Sequence, residues 1–576
     1  MTHQLVNRGG LLADGLGGEP FAADVAIDGG TIAAVGRVAE RGTEEIDASG
    51  LLVTPGFVDI HTHYDGQVTW DSSLAPSSWH GVTTVVMGNC GVGFAPVRPD
   101  AHDRLISLME GVEDIPGAVL DEGIDWSWET FPEYLTAVER RPHEIDIGAQ
   151  LPHGALRHYV MGERATRLEE ATEEDTAAMR RLATVAMLAG ALGFSTSRTL
   201  NHRTSSGDPT PSLRATAHEL EMIAAGVADA GHGVIELISD FSPDLDGEFA
   251  IARAIVASSG RPLSLSLAQN THNPEGWRAI LGKIEEAVAD GLPIRAQVAP
   301  RPVGVLLGLQ SSFHPFSGSP SYRTIAGMPL AEQVRTLRDP TFRSTLLAET
   351  APAGRGFVDF GRLFPLGELP DYEPSRQQSV GAQAARRGVD PVALALDLLL
   401  EDEGRGFLFA PFANYADFTL DPCGEMMAHP DTVLGLGDGG AHVGLISDAS
   451  FPTYALAHWG RDRSHGRFAV GWLVEQLTSR TAQAVGLYDR GVVAPGLRAD
   501  LNVIDFDRLR CERPVMVYDL PAGGKRLLQG ARGYRATIAG GQVIRRDGES
   551  SGALPGKLLR GPQADPRQGK GGAPWN

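Results

Sequence analysis

The chain contains few cysteines and no long apolar run, and both absences limit what it can be. Its three cysteines, Cys90, Cys423 and Cys511, are far apart and odd in number. This excludes a disulfide scaffold and favours a reducing compartment. No segment approaches the roughly 20 apolar residues that span a bilayer, and the start of the chain lacks the basic and apolar regions of a signal peptide. We therefore predict a cytoplasmic protein with no membrane partner.

Basic residues are also fewer than acidic ones. The 50 lysines and arginines and the 72 aspartates and glutamates give a formal net charge of −22. Such a chain repels phosphate backbones, so a nucleic-acid partner is not expected. A local arginine or metal ion can override this field, so an anionic small molecule stays possible. The 42% hydrophobic and 21% charged residues are ordinary for a globular protein.

The middle of the chain alternates helix-like and strand-like segments. Helical patterns over 169–191, 215–231, 246–259 and 277–290 are each followed by a short apolar strand pattern, at 193–196, 233–238, 263–267 and 294–298. This rhythm predicts a (β/α)8 barrel, in which functional residues lie at the carboxyl ends of the strands. At 576 residues, the chain is too long for one plain barrel of about 250 residues.

Both ends of the chain are instead rich in strand patterns. Residues 24–28 alternate in polarity and turn at Gly29-Gly30 into 31–36, which indicates a hairpin. Segments 499–505 and 536–544 also have strand patterns. We predict a small β-sandwich domain formed by 1–56 and 484–560. The barrel then spans 57–483, with an insertion around 300–375, and 561–576 form a flexible tail.

Two histidines follow a strand pattern and predict a metal site. His61 and His63 come directly after the apolar segment 57–60, and residues i and i+2 of a strand point to the same side. Two imidazoles placed this way can bind one divalent ion. The alternative is a pair of solvated loop histidines.

Two further residues follow apolar segments in the same manner. Cys90 lies between Gly88 and Gly91 after a strand pattern, although a free cysteine is more often a buried structural residue. Asp438 lies at a late strand end before two glycines, where the alternative is a turn aspartate. A thiolate and a carboxylate both suit zinc.

Several segments, in this order along nearly the whole chain, resemble the amidohydrolase superfamily and more narrowly its D-aminoacylase (N-acyl-D-amino-acid deacylase) branch. They are TPGFVDIHTHYDGQ at 54–67, GVTTV and GNCG within 81–91, VEDIP at 112–116, PHGALR at 152–157, DGGAH at 438–442, APGLRADL at 494–501 and GALPGKLLR at 552–560. The resemblance implies a barrel with a small β-domain.

The resemblance also implies a cofactor and roles for particular residues. The metal ligands would be His61, His63, Cys90 and Asp438, and the cofactor a divalent metal, expected to be zinc, as one or two ions. Asp438 would act as general acid/base, because a carboxylate beside a metal-activated water can take its proton and return it to a leaving nitrogen.

The chain departs from that branch on two strands. The branch carries a histidine at the end of the fifth and of the sixth strand, whereas 234–240 and 263–270 have none at the matching places. This predicts either a single metal or substitute ligands, of which Glu236, Asp240 and Asn270 are nearest. A bridging carboxylated lysine is not expected, because the barrel segment has almost no lysines.

Polar residues near the inferred strand ends are candidates for substrate binding. These are Arg157, His202, Arg203, Asn270, His272 and His442. Arg157 and Arg203 could each hold a substrate carboxylate through a two-pronged hydrogen bond. The alternative for each residue is a position in a loop or behind the site.

We therefore predict a hydrolase of carbon–nitrogen bonds in linear amides, similar to N-acyl-D-amino-acid deacylases, that uses a metal-activated water and Asp438. Its substrate would be an N-acyl amino acid or a related amide. One alternative is a mononuclear enzyme that acts on a peptide, cyclic amide or lactone, or that deaminates or decarboxylates. Another is a non-catalytic binding protein on the same fold, against which the retained His61, His63, Cys90 and Asp438 argue. The sequence leaves open whether the chain forms a homo-oligomer.

Overall fold

A computed structural model describes residues 2–357 and 359–568, except for the side chains of 351–357. Of the predicted tail, 569–576 lie outside the described residues. The start of that segment is held in place, because the amide of Gly561 donates to Gly190 O at 2.9 Å and the amide of Gln563 to Gly486 O at 3.0 Å.

The strands of the described residues, in chain order, are β1 (His3–Leu12), β2 (Phe21–Asp28), β3 (Thr31–Gly36), β4 (Gly42–Asp47), β5 (Leu52–Pro55), β6 (Phe57–Asp59), β7 (Val82–Met87), β8 (Asp146–Pro152), β9 (Gly193–Arg198), β10 (Val234–Ser239), β11 (Leu263–Leu267), β12 (Ile294–Val298), β13 (Val303–Leu307), β14 (Phe364–Leu366), β15 (Phe407–Ala413), β16 (Thr432–Leu434), β17 (Leu501–Ile504), β18 (Arg510–Cys511), β19 (Val515–Val517), β20 (Arg526–Leu528), β21 (Ala531–Arg532), β22 (Tyr534–Ala539), β23 (Gln542–Arg546) and β24 (Glu549–Ser550).

The α-helices are α1 (His102–Glu113), α2 (Gly117–Gly123), α3 (Phe131–Arg140), α4 (His153–Met161), α5 (Glu163–Thr166), α6 (Glu173–Ala189), α7 (Ala217–Asp229), α8 (Leu245–Ser259), α9 (Gly276–Ala289), α10 (Pro320–Arg323), α11 (Leu330–Arg338), α12 (Pro340–Phe357), α13 (Val380–Arg387), α14 (Pro391–Leu399), α15 (Glu401–Gly404), α16 (Asp421–Ala428), α17 (Phe451–Tyr454), α18 (Val470–Leu477) and α19 (Ser479–Ala484). A π-helical segment, Ala455–Asp462, extends α17.

Eight parallel strands form the barrel, in the order β6, β7, β8, β9, β10, β11, β12 and β16. A parallel bridge between Thr62 and Gly439 joins the ends of the first and eighth strands and closes the barrel. The sequence placed the strands at 263–267 and 294–298 where β11 and β12 lie. The predicted helices differ from α6–α9 only near their ends. The predicted barrel is confirmed.

Strands from both ends of the chain share a second, nine-stranded sheet. Its order is β24, β23, β22, β17, β5, β1, β2 and β3, and β4 pairs with β1. The antiparallel pairing of β5 with β17 is the seam at which the N-terminal and C-terminal strands meet. Alternating side chains such as Val25, Ile27 and Val503 form a core of their own on this sheet. The predicted additional β-domain from both ends is therefore present.

A long segment, residues 299–431, connects the seventh and eighth barrel strands. It carries a three-stranded sheet in the order β13, β15 and β14, and the helices α10–α16. Part of it has a separate apolar core around Phe316, Leu337 and Leu408. The segment includes the predicted insertion around 300–375. No described helix has the length and apolar character needed to cross a membrane.

Candidate metal centre

The two histidines of the first strand lie just past its end, at the closing seam of the barrel. The His63 amide donates to Gly439 O at 2.8 Å, and the Thr62 amide donates to Val86 O at 3.0 Å. The backbone of this segment is therefore fixed between the second and eighth strands. Both imidazoles are buried, with 1% of His61 and 2% of His63 exposed.

A tight turn brings Cys90 toward the same point. Cys90 has a left-handed backbone with φ of 55°, and its amide donates to Glu236 Oε2 at 2.9 Å. Gly88 is required here, because a Cβ atom at this position would lie 2.3 Å from Gln150 O. The Cys90 Sγ atom lies 3.3 Å from His61 Nε2.

Asp438 comes from the turn that follows the eighth strand. Its amide donates to His61 O at 3.0 Å, which fixes the turn against the first strand. Its Oδ1 atom lies 3.5 Å from His61 Nε2 and 3.6 Å from His63 Nε2. The side chain is 18% exposed, so this carboxylate faces the open end of the barrel.

Three pairs of these atoms are spaced as two ligands of one metal ion would be. Ligands about 2.0–2.3 Å from a tetrahedral zinc ion lie about 3.3–3.8 Å from one another. The distances of 3.3, 3.5 and 3.6 Å given above fall in this range. Within the part of the chain that the structure describes, one group of three or more such side chains, His61, His63 and Cys90, has ligand atoms within 4.8 Å of one another, and Asp438 adjoins this group through its contacts with the two histidines. The donor set fits a divalent ion.

Two residues that the sequence patterns do not indicate lie behind the histidines. Gln297 Oε1 lies 2.9 Å from His61 Nδ1, and Gln297 Nε2 donates to Ser264 Oγ at 2.9 Å. A partner of this kind directs the Nε2 atom of an imidazole toward a metal. Glu113 Oε1 lies 3.2 Å from His63 Nδ1. In the sequence, a glutamine within the apolar strand pattern at 294–298 indicates only a polar side chain in the barrel. Nothing in the sequence around Glu113 indicates its contact with His63.

The buried groups at the centre have shifted pKa values. Burial lowers the pKa of His63 to about 4, so this imidazole is neutral at pH 7. Burial alone would raise the pKa of Asp438, but the neighbouring imidazoles, that of His63 first, outweigh it and hold that pKa below its usual range. Burial, with Glu236 nearby, raises the pKa of the Cys90 thiol well above its usual value.

The Cys90 shift leads to a prediction about pH. A thiol must lose its proton to bind a metal, and the raised pKa keeps that proton in place at neutral pH. Zinc affinity should therefore rise by about tenfold per pH unit between pH 6 and 8. Chelator competition on metal-free protein measures this slope. The Cys90→Ser variant should lose most of it, and a flat profile in the unmodified protein would exclude thiolate ligation.

Two of the residues named as substitute ligands are hydrogen-bonded elsewhere, and Glu236 is so only in part. Burial raises the pKa of Glu236, whose Oε2 accepts from the Cys90 amide while its buried Oε1 has no hydrogen-bond partner. Asp240 Oδ2 accepts from the Leu200 amide at 2.8 Å, and Asn270 Oδ1 from the His272 amide at 2.7 Å. Asp240 and Asn270 therefore stabilise loops, and Glu236 supports the Cys90 turn.

Two of the predicted substrate-binding residues lie beside the centre. Burial, then the charges of His442 and His63, lower the pKa of His202 to about 3, and its Nδ1 lies 2.9 Å from Ser197 Oγ. His442 Nε2 lies 3.6 Å from Glu113 Oε2, and its side chain is 28% exposed. Both imidazoles therefore lie close to the residues of the metal centre.

The other four predicted substrate-binding residues form their hydrogen bonds elsewhere in the protein. The buried Arg157 guanidinium donates to Glu219 Oε1 at 2.7 Å, Pro211 O at 3.0 Å and Glu169 O at 2.6 Å. Because protein acceptors already occupy these donors, the prediction that Arg157 binds a substrate carboxylate finds no support here. The exposed Arg203 donates to Gly207 O, and Asn270 and His272 form an exposed turn. No described contact of these four residues reaches the metal centre.

A parallel barrel with two histidines, a cysteine and an aspartate gathered at its strand ends defines a class of barrel hydrolases. The model of the amidohydrolase family matches residues 44–545, so the chain belongs to this family. The predicted membership of the superfamily is thereby confirmed, and the relatives described below match its predicted D-aminoacylase branch. The predicted enzyme class, hydrolases of carbon–nitrogen bonds other than peptide bonds, is the class of these relatives.

Relatives in that branch cover most of the chain. The D-aminoacylase of Alcaligenes xylosoxydans xylosoxydans is 28% identical over 516 residues, which are 87% of this chain and 88% of the relative. The N-acyl-D-glutamate deacylase of the same organism is 29% identical over 578 residues, which are 95% and 98% of the two chains. A solved D-aminoacylase with a binuclear metal centre shares the fold, with a TM-score of 0.65 and 24% identity over 97% of this chain and 100% of its own.

Proposed function

We propose that this protein is a divalent-metal hydrolase of N-acyl amino acids, which cleaves the linear amide and uses Asp438 as general acid/base. The observation that carries this proposal is the convergence of His61, His63, Cys90 and Asp438 at the ends of the first, second and eighth strands. The named activities of the D-aminoacylase and N-acyl-D-glutamate deacylase relatives support an N-acyl-D-amino acid as the substrate class.

The four residues would hold one ion, expected to be zinc. A bound zinc ion polarises a carbonyl and lowers the pKa of a water. A single ion is proposed because the fifth and sixth strands place no imidazole at the centre. On the sixth strand, the side chains on the same side as Ser264, which accepts from Gln297, are serines. On the fifth strand, Glu236 Oε2 accepts from the Cys90 amide, which leaves only its Oε1 atom without a hydrogen-bond partner.

Asp438 is suited to move the proton. Its low pKa makes it a carboxylate at neutral pH, and its partial exposure lets it reach a water or substrate atom. It would accept a proton from the attacking water and donate that proton to the amide nitrogen as the carbon–nitrogen bond breaks. The products are a carboxylic acid and a free amino group.

His202 and His442 would bind the substrate beside that carboxylate. The pKa of about 3 keeps His202 neutral at pH 7, so it acts as a hydrogen-bonding group and not as a cation. When the Ser197 hydroxyl donates to His202 Nδ1, His202 Nε2 carries the proton and can donate to a substrate oxygen. Such a donor stabilises negative charge that develops on the amide oxygen.

An assay of amine release tests the proposal. Zinc-loaded protein is offered matched N-acetyl-D- and N-acetyl-L-amino acids with apolar, acidic and neutral polar side chains. We expect release of the free amino group, with a preference for the D series. Absence of amine release from every member would contradict the proposal. Release of ammonia or carbon dioxide instead would favour deamination or decarboxylation on the same fold.

A further inference from the structure

The end of α1 places two successive carboxylates beside the metal centre, and the proposed reaction gives neither of them a role. Glu113 is the last residue of the helix, and Asp114 follows it with a left-handed φ of 52°. The left-handed turn ends the helix and directs the two side chains to different neighbours. Glu113 is 1% exposed, and Asp114 is partly buried.

Glu113 lies between two imidazoles. Its Oε1 atom is 3.2 Å from His63 Nδ1, and its Oε2 atom is 3.6 Å from His442 Nε2. His63 belongs to the metal cluster, whereas His442 lies on the turn after the eighth strand. One buried carboxylate thus connects a candidate metal ligand with a candidate substrate-binding residue.

The contact with His63 sets which nitrogen can bind a metal. An imidazole that coordinates through Nε2 carries its proton on Nδ1, and an acceptor behind Nδ1 fixes both the proton and the ring. Gln297 provides that acceptor for His61, and Glu113 is the group in the equivalent position for His63.

The cluster also contains two buried polar atoms whose hydrogen bonding is incomplete. Among the described residues, His63 Nδ1 and Glu113 Oε2 have no well-aligned hydrogen-bond partner. His63 Nδ1 and Glu113 Oε1 are 3.2 Å apart, which is close enough for a hydrogen bond, but the angle between the two groups is unfavourable.

Asp114, the next residue, fixes the same end of α1 through two hydrogen bonds. Its Oδ2 atom accepts from Ser312 Oγ at 2.9 Å and from the Gly444 amide at 3.2 Å. The end of α1 therefore contacts the barrel strand end, the turn that carries His442, and the segment between the seventh and eighth strands.

From these contacts we infer that Glu113 is a positioning residue that orients His63 toward the metal and His442 toward the substrate at the same time. The part that concerns His442 rests on the proposed function. The part that concerns His63 does not need a substrate. Loss of the Glu113 carboxylate should therefore weaken metal binding even if the reaction is not amide hydrolysis.

Zinc affinity of the Glu113→Leu variant, which has no acceptor for His63 Nδ1, tests the first part. Chelator competition on metal-free protein should give an affinity about 10–100-fold below that of the unmodified protein. The matched control is Glu219→Leu, which makes the same change in another buried glutamate that contacts a histidine, with His153 Nε2 2.9 Å from Glu219 Oε1. That control should lower thermal stability and leave zinc affinity within about threefold.

An unchanged zinc affinity in Glu113→Leu, or an equal loss in Glu219→Leu, would show a merely structural role and overturn the inference. If Glu113→Leu does not fold, Glu113→Asp keeps the carboxyl group and shortens its reach. The Asp variant should then bind zinc more weakly than the unmodified protein, and equal affinity would again overturn the inference.

The second part needs KM at saturating zinc for Glu113→Leu, His442→Gln and the double variant. If Glu113 acts through His442, the Glu113 substitution should raise KM in the unmodified background and have little further effect on KM beside His442→Gln. Independent, multiplicative effects would overturn the His442 part. If the unmodified protein hydrolyses no amide, the proposed function fails, while the zinc measurements still decide the role of Glu113 toward His63.

Discussion

Replacement of Asp438 by asparagine is expected to lower kcat for amide hydrolysis by about 10²–10⁴-fold. Asparagine has nearly the same shape and tolerates the left-handed φ of 48° at this position, so the fold should be retained. It cannot accept a proton from water or return one to the leaving nitrogen. The measurement is kcat and KM at saturating zinc, because the lost charge also weakens metal binding.

A matched aspartate elsewhere provides the control for this experiment. Asp244 caps α8 by accepting from the Gly247 amide at 2.9 Å, and asparagine is an equally good residue for such a cap. Asp244→Asn should keep the activity of the unmodified protein. Full activity in Asp438→Asn would contradict the role given to Asp438, and an equal loss in both variants would point to a general effect on folding.

The His61→Ala/His63→Ala double variant is expected to lose the metal that the unmodified protein retains. The proposal gives about one zinc ion per chain for protein purified without chelator, and close to none in the variant, because two of the four ligands are removed. Elemental analysis of both proteins measures this. The neighbouring Cys90 and Asp438 side chains alone should not hold the ion through purification.

Exposed histidines supply the control for metal loss. His218 and His465 have 53% and 62% of their side chains exposed, and each faces a surface carboxylate. The His218→Ala/His465→Ala variant should keep its metal. Two ions in the unmodified protein would indicate further ligands near Glu236. Metal retained after loss of His61 and His63 would place the site elsewhere, and no metal in any sample would favour the non-catalytic binding protein.

The barrel could be predicted from the sequence because local patterns specify it. Strands β11 and β12 are short apolar runs, each preceded by a helical pattern, and both were placed at their observed bounds. The helix ends were less well defined, since end positions depend on capping. For example, the Thr172 side chain accepts from the Asp175 amide and begins α6 four residues later than the helical pattern suggested.

Pairing between distant residues could not be predicted in the same way. Arg157 was expected to bind a substrate carboxylate, but its guanidinium is buried against Glu219, 62 residues further along the chain. Glu113 belongs to the motif at 112–116, which does not indicate its contacts. Its position between His63 and His442 depends on how the end of α1 packs across the open end of the barrel.

The sequence by itself determined the barrel, the β-rich chain ends, and the strand-end positions of His61, His63, Cys90 and Asp438, because apolar runs, turns and residue spacing act locally. Only the tertiary structure decided the distances among those four groups, the partners Gln297 and Glu113 behind the two histidines, and the separation of His202 and His442 from Arg157 and Arg203. Most of these depend on contacts between residues that are distant in the sequence, from 29 positions for His61 and Cys90 to 236 for His61 and Gln297, which barrel closure and burial bring together.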